Sequence, residues 1–114
     1  MSKRGPQEYL ADMREAIVRI QGYTSAITYG QFLADSKTQD AVIRNIEILG
    51  EAAKHLPTTL TGTHQDIAWK SIAGMRDKLV HDYFGVNVDI LWDVLTTKLP
   101  VLLKQIDDIV QDIG

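Results

Sequence analysis

Apolar residues recur at intervals of three and four along almost the whole chain, and only three prolines and a few Gly/Thr clusters interrupt them. A spacing near 3.6 gathers those residues into one stripe on each helix, and no window alternates with the period of two that a half-buried strand needs. The chain therefore reads as all-α: a small antiparallel helical bundle of four to five helices. Tyr9, Met13, Ala16, Ile17, Ile20 and Tyr23 mark a first helix over about residues 7–26, with Pro6 near its first turn. Thr28 with Gln31 three residues on is a capping-box pattern that opens a short turn of helix, and Ser36 with Gln39 repeats the device. The helix that follows, to about residue 55, carries Val42, Ile46, Leu49, Ala53 and Leu56 on one stripe, and Gly50 in its middle points to the close approach of a neighbouring backbone.

"PTTLTGTHQ", residues 57–65, reads as the clearest loop. A fourth helix is expected from about Asp66, with Gly85 placed to end it in a left-handed cap. The fifth is expected from Asn87 or Asp89 to the C-terminus on Leu91, Leu95, Leu99, Leu102, Ile106, Ile109 and Ile113. Pro100 should kink it, since proline removes one amide donor and crowds the carbonyl four residues back.

A chain of 114 residues is expected to be a single domain, 1–114, with a modest core. It contains no cysteine, which removes disulfides, thiolate metal sites and cysteine nucleophiles together and makes a reducing cytoplasm the natural compartment. "MSKRGPQEYL" has no apolar run behind its basic residues, and no window approaches the roughly 20 apolar residues of a membrane span, so no membrane contact is expected. With 12 Lys+Arg against 15 Asp+Glu, the formal charge is −3, and the surface as a whole is not that of a constitutive nucleic-acid binder. Any contact with RNA or DNA must be local.

The local feature is "MRDKLVHDYFG", residues 75–85, which places Arg76, His81 and Tyr83 in the second half of the fourth helix. At about 100° per residue, Arg76 and Tyr83 fall within about 20° of each other, whereas His81 lies about 140° from Arg76. One straight helix cannot aim all three groups at one atom. Either its last turn unwinds before Gly85, or the imidazole of one chain meets the guanidinium of a second across a twofold axis, an arrangement that also lets a small bundle bury more apolar surface.

"IRNIEILGEAAKHLP", "IAWKSIAGMRDKLVHDYFGVN" and "LWDVLTTKLPVLLKQI" together resemble the HEPN superfamily, specifically its HepT-like toxin branch, over about residues 8–110. The family signature is an Arg, four to six intervening residues and a His, with a Tyr two places later in this branch; Arg76, His81 and Tyr83 match it, and Asp77 is one of the residues usual after the Arg. The resemblance implies a metal-independent endoribonuclease toxin acting as a homodimer with both motifs in one cleft, with an RNA substrate and no cofactor or metal. It also implies an antitoxin partner, a minimal nucleotidyltransferase that transfers AMP to Tyr83.

The residue types agree with that chemistry. RNA carries its own nucleophile in the 2′-OH, so cleavage without a metal needs proton transfer and charge stabilisation at phosphorus. An imidazole, with an ordinary pKa near ~6.5, does the first, which assigns general base or acid to His81. The planar guanidinium fork does the second, which assigns the non-bridging oxygens to Arg76. Asp77 is placed to orient either group, and Lys70 and Lys78 to supply local positive potential.

Other readings compete. His81 suits a helix C-terminus on dipole grounds alone, Arg76 can be half of an ion pair with a neighbour of Asp77 or with Glu51, and Tyr83 can be a phenol at the core's edge. Trp69, Phe84 and Trp92 read as packing residues and His64 as solvated. Glu51 with His55 has the wrong interval for a di-iron bundle site, which uses Glu-x-x-His pairs. At the level of function, the alternative is a non-catalytic helical subunit that completes a two-component nucleotidyltransferase.

Overall fold

Gly5 and Pro6 open the first helix of the computed structural model, which describes residues 4–81 and 87–113, with 80 and 81 described by backbone only. Gly5 N–H donates to the Glu8 carboxylate at 3.3 Å, and Pro6 takes the first helical position, where its missing N–H has no intrahelical partner to lose. Helix α1, Pro6–Thr24, buries Leu10, Met13, Ala16, Ile17 and Ile20. Its stripe ends differently from the expected one: Tyr23 is exposed, and Thr24 turns inward instead, its hydroxyl satisfied by donating to Ile20 O at 2.8 Å.

Helix α2, Tyr29–Leu33, follows the expected capping box in both directions. Gln31 N–H donates to Thr28 Oγ1 at 3.2 Å, and Thr28 N–H to Gln31 Oε1 at 2.8 Å. The second box does not form as expected. The cap of α3, Ser36–Lys54, is Asp35, whose carboxylate accepts from both the backbone and the hydroxyl of Thr38. An Asp caps as well as a Ser, and starting one residue earlier moves Gln39 beyond reach of the cap. Gln39 donates to Phe32 O and Leu33 O instead, at 2.8 and 3.1 Å, and so closes the open end of α2.

The stretch expected to be a plain loop contains a helical turn, α4, Thr58–Thr61, because Leu60 is drawn into the core and Pro57 presets the turn. The fourth expected helix is broken in two, as α5, Trp69–Ala73, and α6, Met75–His81. Gly74 stands at the break. The last carbonyls of α5 press on α3: a Cβ at Gly50 would lie 3.1 Å from Ala73 O and 3.2 Å from Ile72 O. The close approach expected at Gly50 is therefore real, and its partner is the end of α5. The expected left-handed cap at Gly85 lies outside the described residues.

The fifth expected helix starts at Asn87, whose side chain accepts from Ile90 N–H at 3.1 Å, and runs as α7, Val88–Asp93, then a π-helical turn, Val94–Lys98, then α8, Leu99–Ile113. The widened turn sits where the proline demands it. Leu99 N–H reaches back five residues to Val94 O, and Pro100, with no N–H to offer and a ring that crowds the preceding turn, enters without a broken hydrogen bond. The expected stripe holds from Leu91 to Ile109, but Ile113 is exposed.

Helix α1 packs against α3 and α8, and α5 and α6 pack on α3. Gln7 meets Ile113 and Arg14 meets Asp107, at 3.3 and 2.8 Å, so α1 and α8 run antiparallel. The buried apolar residues form one cluster, from Leu10 on α1 to Ile109 on α8. Among the described residues there is no strand, and no helix is long and apolar enough to cross a membrane.

Candidate active site

Helix α6 is held by Leu79, which is 1% exposed, with Met75 packed beside it against the core. That anchoring decides where the neighbouring polar residues go. Arg76 is half-buried at the edge of the α3–α6 contact, while Asp77 and Lys78 are exposed. The Arg76 side chain is 40% exposed, and the division runs through the guanidinium itself: Nη1 lies 3.4 Å from Asp77 Oδ1 at the surface, whereas Nε is buried and has no hydrogen-bond partner among the described residues. With Nε covered, the Nη edge beside Asp77 is the part of the guanidinium that an anionic oxygen can reach.

Of the two groups Asp77 was expected to orient, the described contact is with the guanidinium. Of the competing ion-pair readings of Arg76, the one with Glu51 does not form; Glu51 meets His55 Nε2 at 3.3 Å. The backbone of His81 is the last residue of α6, five positions beyond Arg76. Its imidazole and the whole of Tyr83 and Phe84 lie outside the described residues, so the convergence expected of Arg76, His81 and Tyr83 is neither assembled nor broken by the described part of the chain.

Lys70 on α5 and Lys78 on α6 share one groove, of about 670 Å³, which continues to the π-helical turn and α8. The tryptophans pack, as expected. Trp69 donates its indole N–H to His64 O at 3.0 Å, and Trp92 lies against Phe32 and Tyr29 with ring centroids 5.1 and 5.7 Å apart. His64, expected to be solvated, is only partly exposed.

A cluster that sequence reasoning missed lies on the α1–α3 face. Tyr9 stacks on His55 with centroids 4.9 Å apart and planes 11° from parallel, and the Arg4 guanidinium lies over the Tyr9 ring, 5.1 Å from its centroid. Nothing in the sequence signals it, because the stack depends on how two distant helices are registered.

Known proteins resemble the chain over most of its length. The family described as Ribonuclease HepT-like matches residues 13–109, a span that includes all of α6. "Putative RNase MJ0127" of Methanocaldococcus jannaschii is 42% identical over 113 residues, covering 99% of this chain and 93% of that one. "Probable ribonuclease HepT" of Thermococcus cleftensis is 47% identical over 100 residues, covering 88% and 91%. "Putative RNase TTE0752" of Caldanaerobacter subterraneus subsp. tengcongensis is 39% identical over 106 residues, covering 93% and 95%. No solved structure matches. The family match over residues 13–109 and relatives 39–47% identical along nearly the whole chain place this protein in the HepT-like ribonuclease family of the HEPN superfamily.

Proposed function

We propose that the chain is a metal-independent endoribonuclease that works as a homodimer, with Arg76 and His81 as its catalytic residues. The observation that carries the reading is the half-buried Arg76 guanidinium, one edge fixed in the protein and its Nη edge left at the surface, in a chain of this family. In the proposed reaction the ribose 2′-oxygen attacks the adjacent phosphorus and His81 takes its proton. Arg76 holds the non-bridging oxygens as negative charge builds, and the bond to the 5′-oxygen breaks as that oxygen takes a proton from a protonated imidazole, that of His81 in one of the two copies. The products are a 2′,3′-cyclic phosphate and a free 5′-hydroxyl. Arg76 and His81 leave α6 about 140° apart, which favours a cleft shared by two facing copies. The second copy would meet the face that carries Trp69, Ala73 and Val80; Trp69 and Ala73 are partly used by the chain's own packing against His64 and Gly50, and the Val80 side chain lies outside the described residues.

The direct test is total RNA incubated with the purified protein and with His81→Ala. Loss of a positioned acid/base is expected to slow cleavage by about 10²-fold or more with the fold intact by circular dichroism. Equal cleavage by both preparations contradicts the assignment.

The same reading assigns regulation to Tyr83. A phenol, with an ordinary pKa near ~10, is a poor base at neutral pH, so the cleavage itself gives it no task. As a toxin of a toxin–antitoxin pair, the protein would be silenced by a partner nucleotidyltransferase: the Tyr83 oxygen attacks the α-phosphorus of ATP, pyrophosphate leaves, and the phenolic proton is lost. The AMP so attached adds a negative phosphodiester and a bulky base that pair with Arg76 and repel incoming RNA. Tyr83→Phe is expected to remain a nuclease that transferase and ATP no longer silence, with AMP in the wild type mapping by mass to the peptide holding Tyr83. AMP on Tyr9, Tyr23 or Tyr29 instead contradicts it.

A further inference from the structure

The groove beside α6 has a chemistry that proton transfer at His81 leaves unused. Ile72, Met75, Leu79 and Leu102 give it an apolar lining, and Lys70, Lys78 and Lys98 stand around it on three different elements: α5, α6 and the π-helical turn. Those three cations collect on a protein whose formal charge is −3. Arg4, Arg14, Arg19 and Lys104 each meet a carboxylate; among the described residues none lies within ion-pair distance of Lys70, Lys78 or Lys98, as is also true of Lys37, Arg44 and Lys54, but only the first three share one groove. One acid, Asp66, borders the groove, and the amide of Gln105 lies 3.5 Å from it.

The groove also has a definite place relative to the motif. Lys78 follows Arg76 by two residues and so leaves α6 on the far side from it, about 200° around, whereas the His81 backbone position falls within about 60° of Lys78. An apolar trough edged by unpaired cations suits a chain with a repeating negative charge and flat apolar groups between the charges. Single-stranded RNA is such a chain, because its unpaired bases have faces to bury while its phosphates stay at the rim; a duplex hides those faces in its own stack.

We propose that this groove seats the single-stranded RNA that flanks the cleaved bond, with Lys70 and Lys98 as phosphate-positioning residues. The proposal rests on the ribonuclease reading for its substrate, and the test separates the two. In a His81→Ala background, binding of a short single-stranded oligoribonucleotide is followed by fluorescence anisotropy over a range of salt concentrations for the parent, Lys70→Ala, Lys98→Ala, the double variant and Lys98→Arg.

Each alanine is expected to weaken binding and to lower the slope of log affinity against log salt by about 0.7, the contribution of one single-strand phosphate contact; the double loses about twice that, and Lys98→Arg keeps the parental slope. In the otherwise wild-type enzyme, the double variant is expected to raise KM and leave kcat unchanged. If the parent enzyme cuts RNA but the double variant keeps its slope and KM, the groove is not the RNA seat although the nuclease reading stands. If the slopes fall as expected but the parent protein cuts nothing, the seat stands and the nuclease reading fails. An unchanged slope together with a changed sedimentation coefficient makes the groove a contact between copies and overturns the proposal, as does a failure to bind RNA at all.

Discussion

Arg76 does what a lysine in its place would do badly. A guanidinium spreads its donors over a plane, so one edge can lie buried while the other stays at the surface beside Asp77; an ammonium has a single point of charge and would have to choose. The Arg76–Asp77 pair is itself worth little, since both side chains are substantially exposed and neighbours on one helix meet at poor geometry. Asp35 shows a second residue-scale effect, this one readable in pH. The Thr38 hydroxyl and then the Thr38 backbone N–H, donating at 2.6 and 3.1 Å, stabilise the charged carboxylate and hold its pKa below the usual value. A depressed folded-state pKa means stability that is fully present above the unfolded-state value and lost as pH falls through the folded one. Thermal melts down a pH series should therefore show Asp35→Asn less stable than wild type at neutral pH, with the gap closing in the acid range below the ordinary carboxylate pKa. A gap that is constant with pH contradicts the cap.

At the scale of elements, Gly50 is the tightest joint near the site, because it lets the α5 carbonyls reach α3 and so fixes the start of α6. Alanine there gains about 1 kcal/mol of helix propensity but must push on backbone oxygens, which cannot swing aside as a side-chain tip can. Valine adds more bulk and less propensity. Gly50→Val is expected to destabilise by about 1–3 kcal/mol in urea unfolding and to lower nuclease activity through the displaced α6; unchanged stability would show that α5 moves freely. The joint was legible in the sequence as a glycine inside a strong helical stripe. The break at Gly74 and the widened turn before Pro100 were legible only as a continuous helix and a kink. Periodicity reports which residues face the core, and α5 and α6, like α7 and α8, keep one apolar side across the interruption. Whether the backbone breaks at a glycine or widens before a proline depends on what packs against it, which no local window contains.

For the whole molecule, the bundle followed from the apolar period, since α1, α3 and α8 bury nearly all the residues the stripes assigned to them. The candidate site was legible as Arg76 and His81 on one helix, whereas the lysine groove was not, because Lys70, Lys78 and Lys98 come together only when α5, α6 and the π-helical turn are folded against each other. The central claim is that this bundle cleaves RNA with its own guanidinium and imidazole, using the substrate's 2′-OH as nucleophile. The ends it leaves test that most directly. An end-labelled single-stranded RNA incubated with the purified protein in excess EDTA is expected to be cut to fragments with 2′,3′-cyclic phosphate and 5′-hydroxyl ends, and not to be cut by Arg76→Ala or His81→Ala. Cleavage that stops in EDTA, returns with Mg²⁺ or Mn²⁺ and leaves 3′-hydroxyl and 5′-phosphate ends would contradict the account.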